Sequence, residues 1–504
     1  MLSFRSATVV LLWSGVLFNL ATPASGQCVL HEDAKLTAAD GTAGDVFGSS
    51  VSISGDTMVV GAPRDDGDRG SAYVLVRSAG TWTQTAKLTA SDGAGGDLFG
   101  DSVAVSGDTV VVGAYGDDMR QGSAYVFVKP GGGWSEMTQT AKLTASDGTA
   151  GEIFGWSVAV SGDTVVVAAY FDNIGANVAI GSVYVFVKPG SDWSDMTQTA
   201  KLTASDGSAG DVLASAVAIA DGTIVVGASD DAIGPNSGQG SVYVFVKPGG
   251  GWADMTQTAK LTASDGAHND YLGVSVAASG DTVVAGAYQD DIGANSDQGS
   301  AYVFVKPGGG WADMTETAKL TASDGAAVDY FGYWKSVAVS GDTVVVGAVL
   351  DDIGPNVQQG SAYVFVKPAG GWSDMTETAK FTASDGAAGD SFGVSVGVSG
   401  DTVVVGEAGA DIGPNANQGS AYVFDLSGPD CNANGIPDEC DTDTDGDSIP
   451  DDCDQCPFDP TNTMVDGKCI PTLSEWGMMA MAALVLSAGG VVIARRQRAL
   501  GSRQ

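Results

Sequence analysis

From residue 28 to residue 427 the apolar positions come in short alternating runs, and none shows the 3.6-residue recurrence of an amphipathic helix. Runs such as Ser102-Val103-Ala104-Val105, Thr109 to Ala114 and Ser123 to Val128 are rich in β-branched and aromatic residues. Gly and Asp punctuate them, which predicts strands joined by tight turns. The runs recur in fixed order. A heptapeptide Lys-Leu-Thr-Ala-Ser-Asp-Gly, or a close variant, begins at Lys35, Lys87, Lys142, Lys201, Lys260, Lys319 and Lys380, with a period of 52 to 61 residues.

Each period offers four strands, read as FGxSVAV (A), TVVVGA (B), GSAYVFV (C) and TxTAKLTA (D). Four short antiparallel strands repeated seven times predict an all-β, seven-bladed β-propeller over 27–427, an architecture that leaves only short, protected edges. The first heptapeptide precedes the first Phe-Gly pair, and none follows Tyr422-Val423-Phe424. The segment 28–38 is therefore expected to supply the outer strand of blade 7 and close the ring. Aligned on blade 6, Cys28 and Cys431 fall at neighbouring positions, which predicts a disulfide locking that closure.

The pairs Phe47-Gly48, Phe99-Gly100, Phe154-Gly155, Phe331-Gly332 and Phe392-Gly393, with Gly61-Ala62-Pro63 and Gly113-Ala114, resemble the FG-GAP repeats of integrin α-subunit propellers. Leu213-Ala214 and Leu272-Gly273 depart from the pattern. The Phe is expected to fill space between blades, with Gly and Ala letting crowded inner strands approach the axis. In that family calcium sits in the A–B hairpins. Here those hairpins shrink to Ser54-Gly55-Asp56-Thr57 and its equivalents, too short to wrap an ion with six or more oxygens.

Composition narrows the partners. With 23 Lys+Arg against 61 Asp+Glu, the net charge of -38 speaks against a nucleic-acid backbone as ligand. The acid concentrates in two loop families expected to share the upper face. The D–A loops carry Asp92, Asp97, Asp147, Asp206, Asp211, Asp265, Asp270, Asp324, Asp329, Asp385 and Asp390. The B–C loops carry Asp117, Asp118, Asp230, Asp231, Asp290, Asp291, Asp351, Asp352 and Asp411. Turn chemistry accounts for such aspartates; the alternative is a docking face of strongly negative potential. Trp82, Trp134, Trp193, Trp252, Trp311 and Trp372 fall one per blade in the C–D loops, either packed over the outer strand or forming a glycan-stacking ring.

A different signal follows the ring. Asp430, Asn432, Asn434, Asp438 and Asp441 are echoed thirteen residues on by Asp443, Asp445, Asp447, Asp451 and Asp454, an oxygen spacing suited to calcium. Ten acidic residues and no basic ones stand between 430 and 454, which without a cation would repel one another. The stretch 428–469 resembles thrombospondin type 3 calcium repeats, down to the interleaved cysteines. Cys431, Cys440, Cys453, Cys456 and Cys469, with Cys28, could form three bridges in an exported protein. An acidic linker without a bound ion is the alternative.

The two ends predict export. Residues 1–26 read as a signal peptide cleaved before Gln27, with lipidation of Cys28 the weaker reading. Residues 477–494 are an uncharged apolar run followed by Arg495, Arg496 and Arg498, a candidate transmembrane helix with a cytoplasmic Arg-rich tail. Ile470-Pro471-Thr472-Leu473 and the tail to 504 resemble the IPTL-type sorting signals of Gram-negative bacteria. The resemblance implies an exosortase-like processing enzyme and delivery to the cell surface or matrix.

Catalytic motifs are lacking: His31 and His268 are the only histidines, and no Gly-x-Ser-x-Gly, P-loop or HExxH occurs. The expected function is a non-enzymatic, surface-anchored binding or adhesion protein that engages a protein or polysaccharide. A structural matrix protein without ligand, or a hydrolase or lyase acting in the channel, are the alternatives.

Overall fold

The Val-rich second strand of each repeat is the most apolar stretch of the unit, and it is buried along its length, as in Thr57–Ala62 and Thr164–Ala169. Apolar on both faces, such a strand must lie inside a sheet that is itself covered on both sides. A computed structural model shows how. It describes residues 29–30, 32–175, 178–427, 464–465 and 468–469. In blade 2, strands A (Ser102–Ser106), B (Thr109–Ala114), C (Ser123–Val128) and D (Ala141–Thr144) pair antiparallel in sequence order. Seven such sheets form the ring.

Seven apolar cores sit between neighbouring blades rather than within them. At the first junction Phe99 lies against Val59 and Val74 of blade 1 and meets Tyr125 and Phe127 of blade 2 edge-on, at ring separations of 5.5 and 5.9 Å. The Phe thus does what the sequence implied. Its glycine partners act differently from expectation: they permit contact between adjacent blades. A Cβ on Gly113 would overlap the carbonyl oxygen of Gly155 in blade 3, and one on Gly286 would overlap that of Gly332. At the junction of blades 3 and 4 both positions are alanine, Ala168 and Ala214, and Ala214 takes the left-handed backbone (φ 84°) that the repeat otherwise gives to glycine.

Closure follows the count. Ala34–Leu36 pairs antiparallel with Ser420–Asp425 of blade 7, with Lys35 opposite Tyr422. The segment does more than this, because Val29–Leu30 pairs in parallel with Ala379–Phe381 of blade 6.

That second pairing is a rule of the outer rim that the sequence did not reveal. The expected single D strand is in two pieces: Met196–Thr197 runs parallel to Leu143-Thr144 of blade 2, while Ala200–Thr203 pairs within blade 3. Asp195 and Gln198 pin the first piece by accepting from the backbone N–H groups of Lys142 (2.8 Å) and Ser146 (3.0 Å). Six sheets gain a two-residue fifth strand in this way. Blade 7 does not, because in blade 1 the corresponding residues form one continuous strand, Thr81–Thr89, hairpinned onto Ser71–Ser78.

Five of the C–D tryptophans (Trp134, Trp193, Trp252, Trp311, Trp372) are buried in the inter-blade cores, each beside the Met of the rim strand. Trp82 is half-buried beneath Arg77. Packing is therefore their role, and they form no exposed stacking ring.

Residues 1–26, Cys28, Cys431, Cys440, Cys453, Cys456, the ten proposed calcium ligands from Asp430 to Asp454 and the apolar run 477–494 lie outside the described residues. Of the cysteines only the backbone of Cys469 is described, in a short hairpin with Met464–Val465. Among the described residues no helix is long and apolar enough to cross a membrane.

Candidate functional site

The D–A loops rest on the B–C loops of the preceding blade, as shown by Gly96 N–H bonding to Asp68 O (2.9 Å) and Gly151 N–H to Arg120 O (3.1 Å). Both acidic loop families therefore share one face. On the other face the A–B hairpins are two-residue turns, linked around the axis by bonds such as Gly107 N–H to Ser54 Oγ (3.2 Å) and Gly55 N–H to Ser399 Oγ (3.0 Å). The second of these crosses the closure between blades 7 and 1.

Most of the upper-face acid is engaged in a station that recurs in each blade. In blade 2 the Lys142 Nζ lies 2.6 Å from Asp92 of the D–A loop and 2.7 Å from Asp117 of the B–C loop. It also stands 5.3 Å from the centre of the Tyr125 ring. The Tyr125 hydroxyl is 3.1 and 3.2 Å from the same two carboxylates, and Ser123 Oγ donates to Asp117 at 2.6 Å. Lys87, Lys201, Lys260, Lys319 and Lys380 gather Asp40 and Asp65, Asp147 and Asp172, Asp206 and Asp231, Asp265 and Asp290, and Asp324 and Asp351. Burial pulls each of these ammonium groups down, but the paired carboxylates outweigh it and raise their pKa. A lysine that holds its proton so firmly is a strut, not a base.

The second aspartate of the D–A loop has another task. Asp97, Asp211, Asp270, Asp329 and Asp390 each accept the backbone N–H of the residue three positions earlier and so close the turn. Burial raises their pKa, in Asp270 and Asp329 to about 6. Asp291, Asp352 and Asp411 likewise accept backbone N–H groups of their own loops. Turn and strut chemistry thus absorbs most of the aspartates that might have made a docking face. Among the described residues no group of His, Cys, Asp and Glu could hold a metal ion.

Blade 7 breaks the station's sequence but keeps its chemistry. The repeat places Ala at the end of strand B and Asp three residues on, as in Ala348 and Asp351; blade 7 has Glu407 and Ala410. The Glu407 carboxylate reaches the same place and accepts from Ser420 Oγ (2.8 Å) and the Tyr422 hydroxyl (2.9 Å). It is wholly buried, and among the described residues one of its oxygens has no partner and Lys35 pairs with Asp385 alone. Burial raises the Glu407 pKa to about 7 despite those two hydrogen bonds. A carboxyl raised on folding favours the native state below its unfolded value of 4.5 and forfeits that advantage as pH climbs through 7. Glu407→Gln should therefore nearly match the wild type at pH 4 and exceed it by on the order of 3 kcal/mol at pH 8, as read from urea unfolding at both values. Equal stability differences at the two pH values would refute this assignment.

Sevenfold symmetry fails most visibly at the upper mouth of the central channel. The residue after each Phe-Gly pair or its equivalent is Ser49, Asp101, Trp156, Ser215, Val274, Tyr333 and Val394, and blade 6 carries two extra residues before Thr343 compared with blade 5 before Thr282. The insertion brings Trp334 across the opening, edge-on to Trp156 at 4.7 Å, and sends Lys335 to Asp101 of blade 2 at 2.9 Å. Trp156 also meets Tyr115 (5.1 Å) and Tyr170 (5.2 Å), and Tyr170 contacts Phe171. On the other side Tyr333 lies parallel to Trp334 within 5° and touches Tyr288 (4.9 Å), which in turn contacts Tyr271 and Tyr330. These rings are half-buried and Phe171 is exposed, whereas the Phe and Tyr of the blade cores are fully enclosed. Beneath them the channel is a cavity of about 260 Å³ walled mainly by the Ser, Val, Ala and Ile of the seven A strands, with Trp156, Trp334 and Lys335 also in its lining.

The sequence reading missed this aromatic wall because it looked for chemistry in repeated positions. The available signal was the opposite one, in the variable positions after Phe-Gly and Gly-Ala.

Comparison with known families agrees with this architecture. An FG-GAP repeat model matches residues 30–75, 82–127, 137–186, 196–245, 255–304, 314–365 and 375–424, each unit running from an outer strand through the A, B and C strands of the next blade. An IPTL-CTERM motif model matches residues 469–498, the mark of an exported, cell-surface protein. Comparison with curated proteins gives no match. Matched in seven consecutive units that together build the whole ring, the chain belongs to the FG-GAP repeat family.

Proposed function

We propose that this protein is a non-enzymatic binding or adhesion module of the cell surface, which engages its partner with the upper mouth of the propeller. The observation that carries this reading is the wall of half-exposed Tyr and Trp rings, placed where the repeat departs from its own consensus. Large amphipathic rings left partly in water are what recognition surfaces are made of, since they gain apolar contact at small entropic cost.

The stalk completes the proposal. Asp430, Asn432, Asn434, Asp438, Asp441, Asp443, Asp445, Asp447, Asp451 and Asp454 would bind calcium and stiffen the connection to the C-terminal anchor, with Cys28, Cys431, Cys440, Cys453, Cys456 and Cys469 paired as disulfides. Purified full-length protein, added to envelope and matrix fractions with calcium or with a chelator, should be retained by at least one fraction and more strongly with calcium. Retention by no surface fraction would rule the binding reading out. Equal retention in both conditions would remove calcium from it.

A further inference from the structure

The ligand's chemistry can be read from the mouth itself, given the binding role proposed above. We infer that the aromatic wall is a contact surface for a neutral polysaccharide chain. Three independent features point there.

The rings are arranged as a continuous track. Tyr170, Trp156, Trp334, Tyr333 and Tyr288 follow one another at centroid separations of 5.2, 4.7, 5.7 and 4.9 Å, intervals comparable with one hexose unit. They are packed against each other at interplanar angles of 33, 89, 5 and 66°, so the track is formed before any ligand arrives and is built of both ring faces and ring edges.

Polar groups edge the track. Asp230 is bonded to Ser229 at 3.0 Å and to Tyr170, and the Tyr288 hydroxyl interacts electrostatically with Tyr333 and Asp230. A pyranose has this dual character, with apolar C–H faces that lie on aromatic rings and hydroxyls around its edge that hydrogen-bond.

Charge chooses among glycans. The chain carries -38, and each station contributes two carboxylates for one lysine on the same face. A uronate or sulfated polymer would be repelled, whereas a neutral one meets no such field.

The test uses the full-length protein in affinity electrophoresis through gels containing hydroxyethyl cellulose, xylan, galactomannan, β-1,3-glucan or, as the anionic arm, alginate. At least one neutral polymer should retard the protein, and alginate should not. Tyr333→Ala and Phe171→Ser should each weaken the retarding interaction at least tenfold. Phe171 is exposed, so its variant should melt with the wild type and separate lost binding from lost folding. Retardation by alginate alone, by no polymer, or by a neutral polymer equally in wild type and variants overturns the inference. If surface fractions still retain the protein while no polysaccharide does, and protease treatment of the fraction abolishes retention, the partner is a protein and the binding reading stands alone.

Discussion

Lys380→Met should destabilise the propeller by about 3–5 kcal/mol, a far larger effect than any exposed lysine of the ring should give. Lys380 is 5% exposed, the most enclosed of the station lysines, and its ammonium is 2.6 Å from Asp324 and 2.7 Å from Asp351. Without it, the buried Asp351 carboxylate would lose its cation while facing the half-exposed Asp324 and the Tyr363 hydroxyl. The comparison is Lys306→Met: its pair with Asp281 is open to solvent, so its loss should cost no more than about 0.5 kcal/mol. Urea unfolding at pH 7 separates the two. Equal midpoints for the variants would show that the stations do not hold the blades. Adding Asp351→Asn to Lys380→Met should recover part of the loss by removing one of the stranded charges.

Gly286→Ala should be nearly as damaging, for a reason unrelated to charge. The added methyl would overlap the carbonyl oxygen of Gly332, a backbone atom fixed in the next blade, so relief requires the two blades to part. Overpacking against backbone costs about 3 kcal/mol at such a site. Gly249→Ala, in an exposed C–D loop with open space around the new Cβ, should leave the melting temperature unchanged. If both variants melt alike, close backbone approach is not what the repeated glycine secures.

These two sites also show what a single sequence can and cannot disclose. The number of blades, the Phe or Leu that fills each junction and the N-terminal strand that closes the ring were all legible, because periodicity and unit counting depend only on chain order. The partners of Lys380 were not. In the repeat the lysine reads as a solvated strand residue and Asp324 as a turn residue, 56 positions apart, and only the fold sets their side chains together. The broken outer strand was hidden for a related reason: Met-Thr and Ala-Lys-Leu-Thr form one pattern in sequence, but the acceptors Asp195 and Gln198 assign its first part to the neighbouring blade. The substitution of Glu407 for a missing Asp at 410 was visible as a paired exchange within one repeat, yet its meaning depended on knowing that both positions reach one tyrosine. At the mouth, Trp156 and Tyr333 were overlooked because a search for consensus passes over the residues that deviate from it.

The closure of the ring has a mechanical side. The described chain leaves the propeller at residue 427, directly from the last strand of blade 7, which is flanked by Thr402–Glu407 on one side and by the N-terminal Ala34–Leu36 on the other. A load drawn through the residues that follow would pull that strand along its own axis, so the hydrogen bonds on both flanks share it at once instead of opening one by one. The latch that completes the circle is thus also the seam through which a tethered propeller would bear tension.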